Sequence, residues 1–364
     1  MKRFILATAL AIAAIEQPLL FGRESNITTA AELQANTEIA NAKSANFYLN
    51  LANDKQEAGD YEGAISDLTK AIEINPRYAR AHYNRGFTKA ILEDFQGALS
   101  DFTKAIEINP RYARAYYGRG STKGRLEDYD GAISDFTKAI EINPRYSTAY
   151  NNRGLAKLEL RDYKGAIADY SKAIKLNRKF FEAYYNRGIA KFILKDDYGA
   201  IEDYSKAIKL NRKFFQAYYN RGIAKGILED YEGVISDFTK AIEINPRYKD
   251  VYYHRGIAKY GLEDYSGAIA DFSKAIEINP RDAKAYYNRA ISKGYLEDLV
   301  DIDVTELIAD YSKAIEINPR YTDAYINRGI AKYYQQNKRG ACADWRKASS
   351  LGDKDAASFV EKQC

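Results

Sequence analysis

The chain has 364 residues, 29% of them charged and 46% hydrophobic, a globular composition rather than a disordered or collagen-like one. Fifty-five Lys and Arg against 50 Asp and Glu leave a net charge of +5, without the concentrated basic footprint of a nucleic-acid-coating protein. Two Cys, two His and one Met argue against a Cys/His zinc cluster, a haem protein or a disulfide-rich scaffold, whereas 32 Tyr demand an explanation.

Lys2 and Arg3 precede an apolar run from Phe4 to Ile15, in which only Thr8 is polar, and Glu16, Gln17 and Pro18 break it. A basic stretch before a short apolar segment is the pattern of a secretory signal peptide, and the run is short for a bilayer span. Residues 1–21 are therefore read as a signal peptide, with a membrane anchor as the alternative. Either reading places the chain in the periplasm or cell envelope, or anchors it to the membrane. Residues 22–44, rich in Ala, Asn and Thr, read as a polar linker or lead-in to the first helix.

The remainder is one repeated unit. Gly86, Gly120, Gly154, Gly188, Gly222 and Gly256 are each 34 residues apart, and Ala290 continues the phase. Gly329 follows after 39, so the eighth unit carries five extra residues, near 299–307. Nine units then begin at 45, 79, 113, 147, 181, 215, 249, 283 and 322 and fill residues 45–352. Each holds two helical patterns, here helix A and helix B. In unit 2, Ala98, Leu99, Phe102, Ala105 and Ile106 are apolar at helical spacing in the second half, and Ala79 to Leu92 forms the first. Glu93-Asp94 marks the turn between them. Asn109-Pro110 stops helix B, with Asn in a left-handed cap and Pro unable to continue. Asn177-Arg178 and Asn211-Arg212 lack the Pro and are expected to end less sharply. Asp197 stands where other B helices begin with an aromatic, with Tyr198 displaced by one, and Leu307 takes a place usually held by Ala. The eighth unit should therefore distort the stack locally. Residues 353–364 read as a polar capping helix.

This pattern resembles the tetratricopeptide repeat, a 34-residue helix–turn–helix, in a bacterial-type exported form. The motif positions read His82, Gly86, Phe95, Ala98, Phe102, Ala105 and Pro110 in unit 2, and Tyr252, Gly256, Tyr265, Ala268, Phe272, Ala275 and Pro280 in unit 7. The units depart from the family at the seventh and eleventh positions, where Arg and Lys replace the usual Leu and Tyr. The resemblance implies an all-α, right-handed superhelix of about nine units with a C-terminal cap. It implies protein–protein interaction rather than catalysis, with no cofactor, no metal and no nucleic-acid partner. No phosphate loop or Ser/His/Asp or Cys/His pairing argues otherwise.

The resemblance also implies that positions 2, 5, 6, 9, 12 and 13 of helix A line a concave groove. Position 5 is Tyr83, Tyr117, Tyr185, Tyr219, Tyr253 and Tyr287; position 6 includes Asn84, Asn152, Asn186, Asn220 and Asn288, with Gly118 and His254 departing. Tyr offers a rigid aromatic contact, and Asn can donate and accept along an extended peptide. The carboxylate-clamp variant of the family needs Lys at position 5, so capture of a C-terminal carboxylate in that manner is not expected. Three alternatives remain: these side chains pack between neighbouring A helices, the Tyr rows stack on an envelope carbohydrate, or the chain is a structural repeat protein that self-assembles through its convex face.

Three further features stand out. Arg at position 7 and Asp sixteen residues later recur through the array. Unit 1, which has no predecessor, carries Leu51 instead of Arg, so pairing across units is expected, Asp67 with Arg85 and Asp310 with Arg328. Lys172, Lys175, Arg178, Lys179, Lys206, Lys209, Arg212 and Lys213 form a basic strip that suits an acidic partner or a membrane surface, or is a solvated edge. Cys342 and Cys364 straddle the Leu351-Gly352 turn and would close a disulfide in an exported chain.

Overall fold

A computed structural model describes residues 30–296 and 304–364. The signal or anchor segment and the centre of the eighth-unit insertion lie outside the described residues. Those described form nineteen α-helices and no strand. They make nine A–B hairpins stacked in chain order, plus a terminal helix. In unit 2, helix A is Ala79–Ile91 and helix B is Phe95–Ile108.

Small residues set the A–B distance. A Cβ at Gly86 would stand 3.1 Å from the Asp101 Cβ and 3.2 Å from the Ala98 carbonyl oxygen. At Gly222 it would lie 2.7 Å from the ring of Phe238. The position-8 glycine thus lets the helix B aromatic lie flat on helix A, and Phe102, Tyr170, Tyr204, Phe238 and Phe272 are almost wholly buried there. The seams between units are closed by alanines such as Ala81, Ala105 and Ala115, all without exposure.

Both turns are built by side chains. Before helix B, Glu93 takes φ 62° and Asp94 caps the helix, its Oδ1 accepting from Gly97 N at 2.9 Å. Gly97 is required because a Cβ would sit 2.0 Å from the Asp94 carboxylate. The Asp-x-x-Gly pair recurs at Asp128/Gly131 through Asp264/Gly267 and closes as Asn337/Gly340. After helix B, the expected left-handed Asn is not found: Asn109 has φ −131°. Its Oδ1 instead accepts from Arg111 N at 3.0 Å, an Asx turn that reverses the chain. Asn177 and Asn211 make the same bond to Lys179 N and Lys213 N, at 3.0 and 3.1 Å. Those two helices therefore end as sharply as the others, because Asn rather than Pro forms the stop.

The first helix runs from Ala30 to Glu57, so residues 30–44 are helical and continuous with helix A of unit 1. The helices that flank the insertion, Ala283–Leu296 and Val304–Ile317, pack as a pair, and Leu307 packs with Ala290 and Tyr311 inside the unit. Asp197 is a local fault: its Oδ1 is buried without a partner, while Tyr198 is 76% exposed. Beyond unit 9, helix Lys354–Gln363 stacks Phe359 on Trp345 at 5.2 Å and covers the last core. Cys342 and Cys364 are joined across that cap, with Cα atoms 5.6 Å apart.

Candidate functional site

The Arg and Asp rows pair within units, not across them. Arg187 Nε and Nη2 donate to Asp203 Oδ2 and Oδ1 at 2.8 and 2.6 Å, and Arg85 grips Asp101 in the same bidentate way. Across the insertion, Arg289 takes Asp310 at 2.9 and 2.6 Å, which leaves Arg328 to Asp344. Asp67, expected to meet Arg85, is held by Lys55 at 2.6 Å. The link between units is a different bond. Arg187 Nη1 donates to Ser171 Oγ of the preceding unit at 3.0 Å, and Arg85 Nη1 to Thr69 Oγ1 at 3.1 Å. Unit 1 carries Leu51 at that position, so Asp67 has Lys55 as its cation in place of an Arg. Lys at position 11 completes the node, as Lys191 on Asp203 at 2.8 Å. Tyr at position 4 lies under the guanidinium, Tyr184 under Arg187 at 5.7 Å. Much of the tyrosine content is thereby structural.

The groove rows are also tied together. Asn152 Nδ2 donates to the Tyr117 hydroxyl at 3.0 Å, and Asn220 to Tyr185, Asn288 to Tyr253 and Asn327 to Tyr287 do likewise. Asn186 reaches Asn151, which replaces Tyr in unit 4, at 3.1 Å, and Asn84 reaches Asn53 at 2.9 Å. The rings are packed as well: Tyr219 lies 5.7 Å from Phe238 of its own unit and 5.1 Å from Tyr248 at the start of the next A helix. Burial pushes Tyr287 up to about 12. The Tyr and Asn side chains thus form an inter-unit ladder, with one N–H of each of these Asn amides engaged.

Several apolar side chains stand open beside them at positions 9 and 13, though not in unit 3, which has Ser121 and Arg125 there. Phe87, Ile91, Leu155, Ile193, Ile227 and Ile257, at these positions, are each more than a third exposed. Two cavities open between successive A helices where the Asn row is interrupted. One, of about 400 Å³, lies at Gly118 between units 2 and 3. The other, of about 300 Å³, lies at His254 between units 6 and 7, lined by Ile223, Ile227, Phe238 and Ile257. Burial lowers the His254 pKa and favours the neutral ring. Sequence reading noted both departures from Asn; the cavities depend on side-chain packing across units.

The basic strip is fully on the surface. In other units a Lys near the end of helix B pairs with Glu three residues on, as Lys104–Glu107 at 3.0 Å and Lys240–Glu243 at 2.7 Å. Units 4 and 5 have Lys175 and Lys209 in place of that Glu, and Lys172 and Lys206 lack this pairing. Among the described residues no three His, Cys, Asp or Glu are grouped to hold a metal, and no helix is long and apolar enough to cross a membrane.

No curated protein matches the chain. Among solved structures, it is similar to the C-terminal part of a TPR repeat-containing protein from Cytophaga hutchinsonii, at 22% identity and TM-score 0.59 over 67% of this chain and 99% of that one. It is similar to a tetratricopeptide repeat protein from Parabacteroides merdae at 19% identity and TM-score 0.50, over 69% and 99%. Both show the fold alone. YrrB, a TPR protein with an unusual peptide-binding site, is 25% identical over 50% of this chain and 95% of its own, at TM-score 0.46, a likeness too loose to inform the ligand. Sequence models described as tetratricopeptide repeat match residues 79–112, 113–146, 181–214, 250–282 and 215–248, and one described as TPR repeat matches 55–90 and 158–195. Proteins of this family are generally non-catalytic scaffolds for protein–protein interaction. With these matches spanning more than half of the chain, and every described unit folded as the same helix pair, the protein belongs to the tetratricopeptide repeat family.

Proposed function

We propose that the concave groove holds a segment of a partner protein against its exposed apolar row. The observation that carries this reading is the run of open side chains on helix A, Phe87, Ile91, Leu155, Ile193, Ile227 and Ile257, while the Tyr and Asn beneath them already have partners. A segment laid there buries apolar surface against a preformed floor, at little ordering cost to the scaffold. Sugar stacking is disfavoured, since the Tyr rings pack against neighbouring rings instead of presenting open faces. A photo-crosslinking residue placed at Ile227 should trap a discrete partner in the native host, and one at Lys240 on helix B should not. Equal trapping at both sites, or none at Ile227, overturns the reading.

We further propose that residues 1–21 export the chain and that Cys342 and Cys364 are oxidised there. Intact mass from the native host, taken without reductant, should show loss of the N-terminal segment and a deficit of two hydrogens. A full-length, reduced chain would refute export.

A further inference from the structure

The two groove cavities differ in their electrostatic setting. At units 2 and 3, helix A of unit 3 presents Arg114, Gly118, Ser121 and Arg125 at intervals of four, three and four, one stripe of a helix. Helix A of unit 2 presents Arg80, Phe87 and Ile91 in the same way. Gly118 replaces the position-6 Asn, so no amide spans to Tyr83, and the Phe102 ring lies 2.7 Å from where a Cβ would stand. What remains is a cavity of about 400 Å³ with Phe87, Ile91 and Phe102 on one side and Ser121 and Arg125 on the other. Phe87 and Ile91 are 48% and 41% exposed. Arg80, Arg114 and Arg125 are exposed and have no carboxylate at ion-pair distance among the described residues. The charge of Arg114 is felt at Tyr83 and Tyr112. At position 2 the later units carry Glu182, Asp250 and Asp323, the neutral Thr148 and Gln216, and one basic residue, Lys284.

Resting on the groove reading above, we propose that the Gly118 cavity takes one bulky apolar side chain from a partner segment, with carboxylates beside that side chain paired to Arg80, Arg114 and Arg125. The apolar anchor supplies affinity, and the arginine rim selects against basic segments. The chain's own N-terminus fits poorly, because its apolar run follows Lys2 and Arg3.

The test uses the full chain and three labelled, end-blocked peptides: Glu-Asp-Leu-Trp-Glu-Asp, the same peptide with Lys for each acid, and the acidic peptide with Ala for Leu and Trp. Fluorescence anisotropy should show binding of the first only, weakened by salt. Gly118→Asn restores the residue of most units; its Cβ would stand 2.7 Å from the Phe102 ring, so that ring must shift and the cavity it lines changes shape. Binding should then weaken about tenfold or more, the worth of one large buried side chain. Arg114→Glu with Arg125→Glu, both surface changes, should do the same and remove the salt dependence. Circular dichroism of each variant verifies the fold. Equal binding of acidic and basic peptides, or binding unchanged by Gly118→Asn, overturns the proposal. If binding then responds to Ile227→Asp, the groove reading survives without this pocket. A Gly118→Asn-sensitive dimer, or peptide binding seen only after removal of residues 1–29, would make a second copy or the chain's own terminus the occupant and also overturn it.

Discussion

Arg187→Leu gives unit 5 the residue that unit 1 carries as Leu51. The Asp203 carboxylate is nearly inaccessible, its side chain 2% exposed, and is held by Arg187 at 2.8 and 2.6 Å and by Lys191 at 2.8 Å. Removing one member of a buried pair costs about 3–5 kcal/mol when the other charge is left alone. Here Lys191 remains on the carboxylate, so the loss should lie at the lower end, about 3 kcal/mol. Roughly 1 kcal/mol of it belongs to the bond from Arg187 to Ser171, which ties unit 5 to unit 4. Ser171→Ala alone should therefore cost about 1 kcal/mol, and nothing further once Arg187 is Leu. Urea denaturation followed by far-UV circular dichroism is the assay, urea being uncharged and so leaving the ion pairs unscreened. Because each unit contacts only its neighbours, the loss should also split the transition at the junction of units 4 and 5. A change below about 0.5 kcal/mol, the range of an ordinary surface substitution, or strict additivity of the two changes, would refute the node as the inter-unit tie.

Asp197→Tyr should stabilise the chain by about 1 kcal/mol or more in the same assay, since it removes a buried, unpartnered carboxylate oxygen and restores the aromatic of other units. Glu229→Gly, at a left-handed turn residue with φ 59° where unit 1 already has Gly59, should gain up to about 1 kcal/mol. In acid, burial opposes ionisation of Asp101, but His82, Arg85 and Lys89 outweigh it and hold its pKa well below the usual carboxylate range. Its stabilisation is therefore complete above the unfolded value of about 4 and is lost as pH falls from there through the depressed folded value; Asp101→Asn should flatten that part of the pH–stability curve. In base, burial raises Tyr287 to about 12, so its contribution holds below about 10 and fades as pH rises through the folded value, and tyrosinate absorbance should lag that of the urea-unfolded chain.

The repeat period, the helix pairs, the small residues at their crossing and the terminal cap were legible in the sequence, because each follows from spacing within a few turns of chain. Partner choice was not. Asp101 and Arg85 straddle one turn as evenly as Asp67 and Arg85 straddle the other, and linear distance does not rank them. The absence of Arg in unit 1 suggested ion pairs between units, but those pairs lie within units, and the bond between units is the Arg–Thr or Arg–Ser one. The Asn stop was likewise visible, while its mechanism, an Asx turn rather than a left-handed cap, needed backbone angles. The Tyr–Asn ladder joins residues 35 apart, as Asn152 with Tyr117, or 40 apart across the insertion, as Asn327 with Tyr287, so its bonds exist only once units stack. That stacking engages one amide N–H and one hydroxyl oxygen in each Tyr–Asn pair that a sequence reading would assign to a ligand. It leaves apolar side chains and two cavities open at Gly118 and His254. Sequence alone determined which residues recur, because the repeat is a local pattern; the tertiary structure decided which of them are spent in packing and which remain open, because that depends on contacts between units.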